Sequence, residues 1–193
     1  MSIASLAQHH GPWTVDAVLA LAEDRSHRYE LVGESLVMSP ALGLRHQRAS
    51  YRLHVALDAA AQAAGAPVEV LEAINVILPS GLVVPDIVVA DAGATAEDGV
   101  SIDAEAVQLI VELVSPGNKT MDRKFKPILY AEAGIQHYWR LEFDPAPRLI
   151  ISELTDGRYA EETIALPGAT TRVEAPFVFE IDPVGLTEPK RRT

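Results

Sequence analysis

Residues 83–93, VVPDIVVADAG, set two demands against each other. The β-branched run asks for a buried strand. Pro85 and Asp86 stand inside it, and neither suits the middle of a sheet. Proline removes a ladder donor, and a carboxylate is costly to take out of water. Such an acid either turns to solvent at a strand end or stays because some chemistry needs it.

Outward from this stretch, VEVLEAINVILP (68–79) reads as one strand and GLVVPDIVVAD (81–91) as the next, after a turn at Pro79 to Gly81. Residues 92–104 are small, acidic and glycine-containing, which describes an exposed loop. VQLIVELVSP (107–116) is apolar on both faces, the pattern of a central strand in a covered sheet. KTMDRKFKPILYAEAG (119–134) carries helical spacing from Thr120 to a Gly134 cap, with Pro127 forcing a kink or an early turn. Upstream, Thr14 caps TVDAVLALAEDR as a helix, and HRYELVGESLVMSP (27–40) folds as a hairpin about Gly33 and Glu34. LRHQRASYRLHVALDAAAQAA (44–64) is a long helix closed by Gly65 and Pro67. QHYWRLE, RLIISEL, GRYAEETIAL and APFVFEID read as strands and hairpins. The expected fold is a single α/β domain over 1–193, a mixed central sheet flanked by helices. Its core spans about 27–142, with C-terminal strands in 148–182 and a flexible tail at 183–193.

The 193 residues suffice for one sizeable core, and 48% apolar content excludes a disordered chain. No apolar run reaches the roughly 20 residues that span a bilayer. The opening MSIASLAQHHGPW lacks the basic and apolar regions of a signal peptide. Without cysteine there are no disulfides and no thiolate metal sites. A cytoplasmic protein with no membrane partner is expected. The net charge of −11, from 16 Lys and Arg against 27 Asp and Glu, counts against nonspecific adhesion to nucleic acid. A local basic groove stays compatible with it, because distant charges are screened.

Asp86 in VVPDIVVA and Glu112 in LIVELVSP each stand alone among apolar neighbours. If their strands are adjacent, the two carboxylates meet on one face. At 4 Å they would repel by about 4 kcal/mol at an effective dielectric near 20. Such a pair persists when one acid is protonated or a cation sits between them, and Mg²⁺ prefers this kind of oxygen site. The competing reading puts both acids in solvent at strand ends. Asp122, Lys126 and Tyr130 follow at i, i+4, i+8, so a helix beyond the strand would carry Lys126 back over Glu112. There the lysine could orient water or neutralise charge on a phosphate. Alternatively Asp122 and Lys126 form a surface pair worth about 0.3–0.5 kcal/mol, with Arg123 and Lys124 solvated.

The ordered series PD, E-x-x-SP and D-x-x-x-K-x-x-x-Y-x-x-x-G-I-x-x-YW resembles the Uma-two-type restriction endonuclease family of the PD-(D/E)XK nuclease superfamily. RYELVGESLVMSP followed by His46 resembles the family's N-terminal signature. The match covers Tyr29 to Glu142. It implies a restriction-endonuclease-like core with Asp86 and Glu112 as metal-binding acids for Mg²⁺ or Mn²⁺. The superfamily lysine two residues after the second acid is replaced here by Val114. In this family a helix lysine stands in, matching Lys126 ahead of Lys124. Glu30 matches the family's early acid and is preferred to Glu34, a solvated turn residue.

His46, opening the long helix, could contact phosphate or orient water, or could have no catalytic task. Arg45, Arg48 and Arg52 form a basic stripe that could face a phosphate backbone or serve solubility. Tyr138 and Trp139 read as core. Ser115 has no histidine partner at a readable spacing, which leaves a serine hydrolase unsupported. The expected function is metal-dependent endonucleolytic hydrolysis of DNA phosphodiesters. A homodimer on double-stranded DNA is expected with it, since cutting a duplex uses two sites. Two rivals remain at this stage. One is a nuclease-fold nucleic-acid-binding module without turnover, favoured by Val114. The other is a homodimeric interaction protein, favoured by the charge.

Overall fold

The computed structural model describes residues 9–21, 27–40, 42–96, 98–115 and 117–189. Two features of the opening stretch organise it. The expected strand 81–91 is broken at Val84, Pro85 and Asp86 into β5 (Gly81–Val83) and β6 (Ile87–Asp91). The expected strand 68–79 is broken likewise into β3 (Val68–Glu72) and β4 (Asn75–Leu78). Ala73, between them, takes a φ of 53°, which no strand can continue through. In each case the halves belong to different sheets.

β6 pairs antiparallel with β8 (Val107–Leu113), Ile87 opposite Val111. β8 in turn runs parallel to β9 (His137–Glu142), which meets β10 (Arg148–Thr155) and β11 (Arg158–Ala165) as a meander. The six-stranded sheet is thus ordered β11-β10-β9-β8-β6-β3, and β8 is central as its two-sided apolar pattern requires. The five-stranded sheet is built on the hairpin of β1 (His27–Val32) and β2 (Ser35–Pro40). Its order is β2-β1-β5-β4-β7, where β7 (Ser101–Asp103) lies within the segment expected to be loop and pairs parallel with β4. Asn75 holds that segment through a bond from its amide to Val100 O at 2.7 Å, a tie no local pattern announces. Gly81 lets β5 approach β1: a Cβ there would stand 2.0 Å from Leu31 O.

α1 (Val15–Leu19) starts at Thr14, whose hydroxyl accepts from Ala17 N, and is shorter than expected; residues 22–25 of that expected helix lie outside the described ones. α2 spans Leu44–Ala64 as expected and ends on Gly65 at φ 63°. It lays Ala49, Leu53, Leu57 and Ala61 over one face of the six-stranded sheet, against Ile87, Val89, Val111 and Trp139. The sheet's other face, with Val88, Ala90, Ile110 and Tyr138, packs on Val76 and Val83 of the five-stranded sheet. Ile87 and Val88 therefore serve opposite cores, as alternation dictates.

β12 (Thr171–Val173) and β13 (Phe179–Ile181) form a small separate pair. The segment after 183, expected to be a mobile tail, instead begins with α4 (Val184–Thr187), its Leu186 buried against α2.

Candidate active site

The seam where the chain crosses between sheets collects the polar residues. Asp86 lies in the crossover after β5, held there by Pro85 ending the ladder. Its Oδ1 accepts from Arg28 Nη1 at 2.6 Å, and its Oδ2 accepts from Leu113 N at 2.8 Å. His46 Nε2 stands 3.1 Å from Asp86 Oδ2 and 3.0 Å from Leu113 O. Both neighbours are acceptors, so this nitrogen carries the proton. Burial alone would raise the Asp86 carboxyl, but His46 and Arg28 outweigh it and hold the group below its ordinary value.

Glu112 projects from β8 toward the same space. Its Oε1 accepts from Lys126 Nζ at 2.9 Å and from Tyr130 hydroxyl at 2.6 Å. Burial raises Glu112, Lys126 opposes it, and the charges of Asp86 and Glu30 add to the rise. Glu30, from β1, brings Oε1 to 2.9 Å from Lys126 Nζ and accepts from Val84 N at 3.0 Å. The ammonium is therefore clamped between an acid from each sheet. Burial would lower Lys126, but Glu112, Glu30 and Asp122 raise it well above its ordinary value.

The lysine arrives by an irregular helix. Met121–Phe125 form a π-helical turn, and α3 (Lys126–Glu132) follows with Pro127 in its first turn, where a missing N–H costs little. The wide turn brings Asp122 and Lys126, and α3 brings Tyr130, to the buried side. Asp122 is 3% exposed and Lys126 4%, which replaces the surface ion pair as a reading. Arg123 is not simply solvated either: its Nε donates to Glu142 Oε1 at 2.8 Å, and a second guanidinium nitrogen meets Glu142 Oε2. Arg140 donates to the same buried Glu142 at 3.0 Å. This triad ties the π turn to β9.

Of the residues singled out in the sequence, the structure brings together Asp86, Glu112, Lys126, Glu30 and His46. Glu34 is exposed in its turn and plays no part. The arginine stripe is not an open one. Arg48 donates to Thr187 O at 3.2 Å, and Arg52 to Gly185 O and Glu188 O at 2.6 and 2.7 Å, so both fasten α4. Arg45 reaches Phe143 O at 2.8 Å and remains half-exposed near the site. Tyr138 and Trp139 are buried as core. Pro116 lies outside the described residues.

Asp122 and Tyr130, named at helical spacing with Lys126, also enter the site, and Arg28, which the sequence reading does not single out, enters with them. Arg28 lies two residues before Glu30, hence on the same face of β1.

Asp122 is pushed up to about 8 by burial first and then by Glu112, with Lys126 opposing. Its unfolded form releases a proton near 3.8, while the folded form keeps it to about 8. Across that window the unfolded state binds fewer protons, so stability falls as pH rises. Glu112 acts in the same direction. In EDTA, the melting temperature is therefore expected to drop between pH 5 and 8, and Asp122→Asn to melt higher than wild type at pH 8 with a shallower slope. Parallel pH profiles for the two proteins would contradict this account.

Four buried acids, Glu30, Asp86, Glu112 and Asp122, thus share this seam with Arg28, Lys126 and His46 around a space of about 20 Å³. That is room for one water-sized occupant. Among the described residues, no three His, Asp or Glu side chains converge into a ready-made metal cluster. Nor does any helix run long and apolar enough to cross a membrane.

The fold has a counterpart among solved structures. A crystal structure from Anabaena variabilis, described as a putative nuclease belonging to DUF820, superposes with a TM-score of 0.70. The match covers 85% of this chain and 90% of that one at 15% identity, a likeness of fold. No curated protein matches the chain. The family model Uma2, described as "Putative restriction endonuclease", matches residues 15–184, which include every residue of the acidic seam. The chain belongs to the Uma2 family of restriction-endonuclease-like proteins.

Proposed function

We propose that the protein is a divalent-metal-dependent nuclease that hydrolyses internal phosphodiester bonds of DNA. The observation that carries this reading is the excess of buried acid at the seam. Four carboxyl groups face two permanent cations, Arg28 and Lys126, and one of the four rises to about 8. A hard divalent ion answers that excess with the oxygen donors present, and Mg²⁺ needs only one or two carboxylates beside water and phosphate. Asp86 and Glu112 would hold it, with Glu30 and Asp122 beside them; Mn²⁺ has the same ligand preference. When bound, such an ion lowers the pKa of water and polarises a phosphoryl oxygen.

The chain's own residues do the remaining work. His46 and Arg28 fix the Asp86 carboxylate in one orientation and keep it ionised. Lys126 clamps Glu30 and Glu112 and keeps an ammonium proton for charge developing on the phosphate. Val114 takes the usual lysine position, and Lys126 supplies the missing cation from the helix. That weakens the reading of a nuclease fold without turnover. Cutting a duplex takes two such sites, which a two-fold homodimer would provide.

The test is digestion of supercoiled, linear duplex and single-stranded DNA by purified protein with Mg²⁺, Mn²⁺ or EDTA. Cleavage is expected with either metal and none with EDTA. Intact substrates under every condition would overturn the proposal in favour of a non-catalytic binding module.

A further inference from the structure

A second cavity, of about 470 Å³, opens beside the acids. It shares Leu42, His46, Ser115 and Asn118 with the space between the carboxylates, so an occupant would lie directly against the site. We infer that this cavity receives the base of one unstacked nucleotide, so that the bond to be cut is presented by a flipped-out or single-stranded nucleotide. The inference rests on the nuclease reading and names the state of its substrate.

The walls suit a flat aromatic group with polar edges. Leu42, Leu44 and Val114 give apolar surface, and Phe143 gives an aromatic one. Arg45 holds its guanidinium 5.0 Å from the Phe143 ring centroid, fixed by Phe143 O at 2.8 Å and Asp144 Oδ1 at 3.3 Å. A planar cation on an aromatic ring is a surface on which bases stack. Leu44 is 78% exposed at the start of α2, an apolar residue in water that no core explains. Toward the acids, Asn118 spends its amide nitrogen on Ser39 Oγ at 3.3 Å and keeps its oxygen for a base edge.

A phosphate attached to that base also finds donors. α2 begins at Gly43 with no side-chain cap, so its first-turn N–H groups are not spent on one. His46, 6% exposed, also lines the cavity; with the proton on Nε2, its unpartnered Nδ1 is an acceptor and is not one of these donors. A stacked duplex cannot enter a space of this size, whereas enzymes that work on a single nucleotide draw it out of the stack.

The experiment uses the full chain with Ca²⁺ in place of Mg²⁺ to suppress turnover. One oligonucleotide carries 2-aminopurine at an unpaired position, the other within a fully matched duplex. The unpaired probe is expected to bind at least about tenfold more tightly, with a change in its emission as the base leaves water for the cavity wall. Leu44→Glu alters an exposed side chain and should leave the circular dichroism unchanged. It is expected to bring the two affinities within about twofold of each other, since it sets a charge at the apolar mouth.

Equal wild-type affinities with unchanged emission would overturn the inference. Preference for the unpaired probe without cleavage in Mg²⁺ or Mn²⁺ would support the cavity and overturn the nuclease reading. Equal cleavage of matched and unpaired substrates would do the reverse. No binding to either probe would overturn both.

Discussion

Lys126→Met is expected to destabilise the protein by about 3–5 kcal/mol, the usual cost of stripping one partner from a buried ion cluster. Methionine keeps most of the lysine's volume, so packing changes little and charge accounts for the loss. Glu30 and Glu112 would be left facing each other across the space that the ammonium now fills, with Asp122 close by. The cost should be greatest near pH 8 and shrink toward pH 5, as Glu112, already raised by burial, takes up a proton. Millimolar Mg²⁺ should recover part of the lost stability by binding the folded form alone. Urea unfolding at the two pH values, with and without Mg²⁺, measures all three effects. A loss below about 1 kcal/mol at pH 8 would mean that the clamp contributes no more than a surface pair.

Asp86→Asn is expected to lower kcat/KM for DNA cleavage by about 10²-fold or more in a protein that still folds, with a lower melting temperature because the new amide nitrogen must face Arg28 or the donors His46 Nε2 and Leu113 N. Losing a charge that holds a catalytic cation removes several kcal/mol of transition-state stabilisation. Asparagine keeps the shape and one acceptor oxygen for the donors around it. Alanine is the poorer test. Arg28, His46 and Leu113 N all donate to this carboxylate, and alanine would leave buried donors unpaired. Cleavage by Asp86→Asn within tenfold of wild type, with unchanged circular dichroism, would remove Asp86 from the chemistry.

The sequence made some of this legible and hid the rest for physical reasons. α2 was readable to the residue, because its apolar spacing and its Gly65 cap are both local signals. β8 was readable as a covered central strand from its unbroken apolar run. The assignment of strands to sheets was not, because it turns on Ala73 and on 84–86, where two continuous apolar runs change sheets. Lys126 over Glu112 followed from helical spacing. The burial of Asp122 did not, since it depends on a wide turn that i, i+4 counting cannot see. The local pattern of Arg48 and Arg52 predicts an outward stripe, because their partners are backbone carbonyls more than 130 residues away and invisible to it.

The seam between the sheets has an evolutionary consequence. Arg28 and Glu30 come from one sheet, Glu112 from the other, Asp86 from the chain crossing between them, and Lys126 from the helix laid over the gap. Their ion pairs fasten the same bodies whose meeting creates the site. A descendant that abandoned the reaction would still need these side chains to keep its sheets together. Under the proposed function, selection would act on the motif twice, once through chemistry and once through folding. Within such a lineage the signature residues can outlive the activity, and activity is better judged from groups with no part in the seam, such as Leu44 at the cavity mouth.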